Sequence, residues 1–193
     1  MPLLRRLELS LLERGSDPIP IPNATFCDAP LLRTVLLNGH AAQSIKLPWA
    51  QLTSLALREV KFLHCVPILQ CTVNLLDCSL SFTVHSEDDK NLPRIALLFL
   101  RSLILEVSYN RNRVTGYLEA FDVPALRRLQ VHERLLHDAP ISSLTSFISK
   151  TGCQLQELRV TNATYIPGAY ILAFPSTNVS VKLDDIDWDS DWS

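Results

Sequence analysis

Glycine is scarce: the 193-residue chain holds only five. It therefore has no G-x-G-x-x-G, no P-loop and no G-x-S-x-G, so neither a backbone cradle for phosphate nor a nucleophile elbow is available. The five histidines, His40, His64, His85, His132 and His137, fall in no catalytic constellation. A non-catalytic protein with no cofactor is expected. Basic excess is missing as well. With 18 Lys and Arg against 20 Asp and Glu the net charge is −2, whereas a phosphate backbone calls for a strongly positive face. Nucleic acid is not expected as a partner.

Long apolar runs are missing too. The longest, Ile95 to Val107, is broken by Arg101 and falls well short of the roughly 20 residues a spanning helix needs. Arg5, Arg6 and Glu8 stand where a signal peptide would have its apolar region. No membrane partner is expected, and the cytoplasm or nucleus is the expected location. Three sequons, at Asn23, Asn162 and Asn178, keep a secreted binding protein open as an alternative. Cysteine is too sparse and odd in number, five in all, to make a disulfide framework. His64, Cys65, Cys71 and Cys78 lack the close C-x-x-C pairs of structural zinc sites, so no metal is expected. Cys78 and Cys153 read as small buried hydrophobes.

Leucine, by contrast, is plentiful, and it recurs in one spacing. L-x-x-L-x-L, with Val or Cys substituting at some positions, starts at Leu4, Leu32, Leu52, Leu75, Leu100, Leu126 and Leu155. A weaker eighth copy, Val181 and Leu183, would begin at Asn178. The starts lie 20 to 29 residues apart. In an extended strand the last two apolar positions share one face and the residue between them points the other way. The leading leucine adds a third wedge at the turn into the strand. The period leaves room for one strand, a turn and a short return segment, the size class of leucine-rich repeats. No unit can bury its face alone, so neighbours must stack. The expected fold is α/β: an irregular leucine-rich-repeat solenoid over residues 1–183, with about seven to eight short parallel strands on the concave side and short helices and loops on the convex side. Residues 184–193, rich in aspartate, are expected to form a disordered acidic tail.

Along the chain, the proline-rich stretch Glu13 to Asn23 reads as an irregular loop. Leu4, Leu7 and Leu9 would leave an apolar end that calls for more chain upstream, a partner or a second copy. Trp49 is expected to pack under the turn into the third unit. Pro67 suits the first turn of a helix with Ile68 and Leu69 facing the core. His85 to Asn91 is a polar, solvated insertion. Val114, Tyr117, Leu118 and Phe121 keep helical spacing. The clearest helix starts at Pro140 or Ser142, carries Leu144, Phe147 and Ile148 inward, and ends at Lys150 and Gly152.

Phe26-Cys27-Asp28-Ala29-Pro30-Leu31-Leu32-Arg33, Leu47-Pro48-Trp49-Ala50-Gln51-Leu52-Thr53-Ser54-Leu55, Val123-Pro124-Ala125-Leu126-Arg127-Arg128-Leu129, and Ser146 to Ser149 with Cys153-Gln154-Leu155-Gln156-Glu157-Leu158 resemble the C-terminal leucine-rich regions of F-box proteins. The likeness is closest to those of mushroom-forming fungi and covers nearly the whole chain. It implies an adaptor whose array holds a substrate while an N-terminal F-box docks on the linker subunit of a cullin-type ubiquitin ligase. No F-box is found in this sequence, so the linker subunit is expected as a partner only if one stands upstream. The chain also departs from the standard motif after each strand. Leu12, His40, Val60, Thr83, Ser108, Arg134 and Ala163 replace the Asn or Cys that bonds the neighbouring turn. Turns held by packing and strand pairing are expected instead.

A protein or peptide ligand is expected on the concave face. Its candidate contacts are the residues between and beside the strand leucines: Leu36, Arg58, Ile104, Glu106, Arg128, Gln130, His132 and Arg159. Leu36, Ala56 and Ile104 would form a sparse apolar centre with charged ends. Mixed polar residues are equally what any half-solvated sheet shows. An enzyme of unrecognised type is the competing class, and the tail carboxylates could hold a divalent cation weakly.

Overall fold

The computed structural model describes residues 4–10, 26, 28–83, 92–108, 116–164 and 166–182. The expectations for Glu13 to Asn23, His85 to Asn91, Val114 and the tail lie outside the described residues.

Ten strands are present among them: β1 (Arg6–Leu9), β2 (Thr34–Asn38), β3 (Ser54–Val60), β4 (Asp77–Thr83), β5 (Ile95–Ala96), β6 (Ser102–Ser108), β7 (Phe121–Asp122), β8 (Arg128–His132), β9 (Glu157–Thr161) and β10 (Asn178–Val181). Eight of them form one sheet in chain order, β1-β2-β3-β4-β6-β8-β9-β10, and every pairing is parallel. β5 and β7 make a separate parallel pair. Four helices, α1 (Gly39–Ser44), α2 (Phe62–Cys71), α3 (Pro140–Thr151) and α4 (Pro167–Ala173), fill the returns between sheet strands. None is long and apolar enough to cross a membrane, among the described residues.

The leucine spacing explains the register. Leu7, Val35, Leu55, Cys78, Leu103, Leu129, Leu158 and Val179 are successive cross-strand partners. Leu9, Leu37, Leu57, Leu80, Leu105, Val131, Val160 and Val181 form a second such line. From Val35 to Leu158 and from Leu37 to Val160 these side chains are buried, and so are the leading leucines from Leu32 to Leu155. A slip of one residue anywhere would turn a strand's apolar set outward, so this burial pins the pairing. Each fully buried leucine contributes roughly 1.5–3 kcal/mol.

The same local bonds recur at the starts of five strands of the sheet. The N–H groups of Leu32, Leu52, Leu75, Leu100 and Leu126 bond the carbonyl three residues back, closing a turn. The next carbonyl, on Arg5, Arg33, Thr53, Leu76, Arg101 or Arg127, accepts two N–H groups from the following strand's start. A carbonyl has two lone pairs, and both are used.

The helices pack on the leucine side. Phe62, Cys65, Val66 and Leu69 of α2, and Leu144 and Phe147 of α3, join the leucine core. Beside them Phe62 stacks on Tyr117 with ring centroids 4.4 Å apart, and Phe82 and Phe121 close the aromatic cluster. α3 has the predicted limits: Pro140 occupies its first turn, and Gly152, at φ 66°, takes the left-handed position that ends it.

Several expectations need correction. Pro67 lies inside α2, five residues past its start, because Phe62 and Cys65 one turn earlier already face the core. The helical spacing before Phe121 gives only a 3-10 turn at Leu118–Ala120, because Phe121 leaves it to pair with Ile95. The eighth strand uses Val179 and Val181 in place of Val181 and Leu183, a slip of two residues where no leucine marks the start. The turns are not held by packing and pairing alone. Gln51 Nε2 donates to the carbonyls of Ala29 and Leu32, Asn74 Nδ2 to that of Ala50, and Thr177 Oγ1 to that of Leu155. The cross-turn side-chain bonds thus stand before the strands.

Candidate interaction face

Because the pairings are in register, the residues between the buried leucines line up in rows on the opposite face of the sheet. One row runs Glu8, Leu36, Ala56, Ser79, Ile104, Gln130, Arg159, Ser180. A second begins at Arg6 and passes Ser54, Asp77, Ser102 and Arg128 to Glu157. Leu36 and Ile104 are both half-buried and stand in the same row, with Ala56 and Ser79 between them. Arg58 lies next to Asn38 near the far end of β2 and β3.

Three of the expected contact residues, Arg159, Gln130 and Glu106, meet in a single network with Thr161. Arg159 Nη1 donates to Gln130 Oε1 at 3.4 Å, and Gln130 Nε2 donates to Glu106 Oε1 at 2.7 Å. Thr161 Oγ1, 3.2 Å from one Glu106 oxygen and 3.1 Å from the other, donates to the same carboxylate. Each bond polarises the next, so the chain from guanidinium to carboxylate is stronger than its separate members. Arg128 remains 57% exposed, with Nη2 3.6 Å from Asp77 Oδ1 across the intervening β6.

Glu106 and His132 are not the open contact residues expected from the sequence. Glu106 is 9% and His132 1% exposed, because neighbouring strands bring bonding partners over them. His132 Nδ1 accepts the Arg134 N–H at 3.1 Å, which leaves the ring proton to Nε2, 3.1 Å from the Asn162 carboxamide. Two donors cannot bond each other, so Asn162 presents its oxygen there. Asn162 itself sits at φ 49°, a left-handed conformation asparagine tolerates. The neighbouring Glu133 carboxylate accepts the Thr164 N–H at 2.8 Å, the Thr164 hydroxyl and the Tyr170 hydroxyl at 2.7 Å. The sequon Asn162-Ala163-Thr164 is thus occupied by internal bonds.

No family model, curated protein or solved structure matches this chain. The face has to be read from its own chemistry.

Among the described residues no three His, Cys, Asp or Glu side chains converge as a metal site. Burial pushes the Cys65 thiol up to about 12 and raises Cys78 and Cys153 as well, so these thiols stay protonated and unreactive at neutral pH. What faces solvent is a mixture: guanidinium groups at Arg6 and Arg128 and a half-buried one at Arg159, carboxylates at Glu8 and Glu157, amide and hydroxyl groups, and a few apolar side chains. Sequence reasoning missed Glu133, Thr164 and Tyr170, and also the cross-turn amides. For Gln51 and Asn74 a signal existed: each directly precedes a leading leucine. For Glu133 there was none.

Proposed function

We propose that the chain is an irregular leucine-rich-repeat array that holds a protein or peptide ligand on the polar face of its sheet, without catalysing a reaction. The observation that carries this reading is the register: eight successive parallel strands present equivalent positions in continuous rows. At about 4.8 Å per strand the rows run on the order of 30 Å, the span of about ten extended residues. Rigid strands hold these side chains in place, which lowers the ordering cost of binding. The ligand best suited to them carries carboxylates for Arg128 and Arg159 and an apolar side chain for Leu36 or Ile104.

The F-box proteins that the sequence resembles give this reading a biological setting. The array would be the substrate-recognition region, and coupling to the linker subunit of a ubiquitin ligase would require an F-box elsewhere in the protein. Display of a random peptide library on the immobilised chain, followed by anisotropy titration of the enriched peptides, tests the binding reading. Arg128→Glu with Arg159→Glu is expected to weaken those peptides at least about 100-fold, two charge-assisted contacts being lost and reversed. Unchanged affinity in a folded double variant removes this face as the binding site.

A further inference from the structure

A second surface lies at the edge where the strands begin. Four of the seven residues that directly follow the leading leucines are arginine, Arg5, Arg33, Arg101 and Arg127, and none is acidic. Arg33 curls back onto the carbonyls of Pro30 and Leu32. Arg101 and Arg127 do not: both are exposed, and no described residue bonds or pairs with either side chain. They are neighbours, since the Arg101 carbonyl accepts the Arg127 and Arg128 N–H groups. Two like charges on adjacent strands, with no acid between them, repel. The turn leading into Arg101 also exposes Leu98 and Phe99 (55% and 57%), and the preceding unit's turn exposes Val73. Basic and apolar groups side by side call for a ligand that alternates acidic and apolar residues.

The chain carries such a segment itself. Residues 184–192 read Asp-Asp-Ile-Asp-Trp-Asp-Ser-Asp-Trp. Setting those five aspartates aside turns the net charge of −2 into +3 for the remainder, so the two parts of the chain are electrostatically complementary. We propose that this acidic C-terminal segment docks in cis on the rim formed by Arg101 and Arg127 with Leu98 and Phe99, its carboxylates pairing with the guanidinium groups and its indoles covering the apolar turn. Aromatic rings also accept arginine as a cation–π partner. The distance allows it. From Lys182, at the far end of β10, the start of β8 lies two strands across and about five residues along, on the order of 20 Å, while eleven extended residues reach about 36 Å. This surface differs from the row of Arg159 and Gln130, and the proposal holds whether or not that row binds a ligand.

The sequence has three tryptophans, so Trp49→Phe in the full chain leaves Trp188 and Trp192 as reporters. Their emission is expected to be blue-shifted and protected from acrylamide, independently of protein concentration. Arg101→Glu with Arg127→Glu should raise quenching at least about twofold, each exposed ion pair shifting the docked fraction only modestly. About 0.5 M salt should do the same. Asp185→Lys with Asp187→Lys and Asp189→Lys should restore protection in the arginine-reversed chain and in no other. If Trp49→Phe impairs folding, hydrogen exchange of the 184–192 peptide in the otherwise unaltered tryptophan background reads the same contrast. The proposal falls if the tail indoles quench as free tryptophan in the parent. It also falls if they respond to Leu172→Ser on α4 instead of the arginine reversal, or if protection grows with concentration as a dimer forms.

Discussion

Three donors converge on the Glu133 carboxylate: the Thr164 N–H and hydroxyl and the Tyr170 hydroxyl. They tie the turn after β8 to the return that holds α4, and Tyr170 is fully buried. Glu133→Ala strands all three, but Thr164 is exposed and water replaces its bonds, so the buried Tyr170 hydroxyl sets the cost, and the loss by urea denaturation is expected to be about 1–3 kcal/mol, with Glu133→Gln intermediate. Loss of under about 0.5 kcal/mol, the usual range for surface changes, would refute that role. The thiols give a second prediction at this scale. Cys65 and Cys78 have folded values raised above the ordinary 9.0 by burial, so their contribution to stability is intact below about pH 9. It is lost above that pH as the unfolded chain ionises, by about 1.4 kcal/mol per pH unit per thiol until the folded value is passed. The fall in melting temperature between pH 8 and 10.5 should therefore be smaller in Cys65→Ala than in the parent, and equal falls would contradict this. Of the described cysteines, Cys71 is the exposed one and should label first with a thiol reagent. Cys78 was readable as a core residue because it fills a leucine slot. The burial of Glu106 was not, because its partner Thr161 stands 55 residues away, and no local spacing encodes such a meeting.

At the scale of elements, local punctuation decided what could be read. Pro140 and Gly152 bracket α3, and each leading leucine marks a strand, so both were legible. β10 has no such leucine, and its limits were misjudged by two residues. The helical spacing ending at Phe121 was overridden by pairing with β5, a tertiary choice that propensity does not contain. The bulge in β3 was equally hidden. Between Leu57 and Val60 this strand has one residue more than β4 opposite, and Glu59 takes φ 54° to accommodate it. The displaced Glu59 carbonyl lies against Gly39 at the start of α1, where an added Cβ would collide with it. Asn38, whose side chain caps α1 by accepting the Ala41 N–H, fixes the helix in that place. Gly39→Ala is therefore expected to destabilise by about 1–3 kcal/mol through overpacking against backbone, even though alanine is the better helix former. Stabilisation on thermal melting would show that the bulge can move aside.

Across the whole molecule, the backbone of each main-sheet strand pairs, among the described residues, only with its neighbours in chain order. An interior leucine then supports two interfaces and an edge leucine one, so position along the sheet should set the cost of losing the same side chain. Leu105 is fully buried between Leu80 and Val131, whereas Leu7, among the described residues, pairs only with Val35 and keeps 9% of its surface. Leu105→Ala is expected to cost about 4 kcal/mol and Leu7→Ala about 2 kcal/mol, the wider gap reflecting how little the centre can collapse around a cavity. Denaturant midpoints at constant slope would measure both. A core that behaved as one pooled mass would give equal losses. If instead the edge change proved the costlier, the first strand would be acting as a nucleus, and the additive picture of neighbouring interfaces would fail with it.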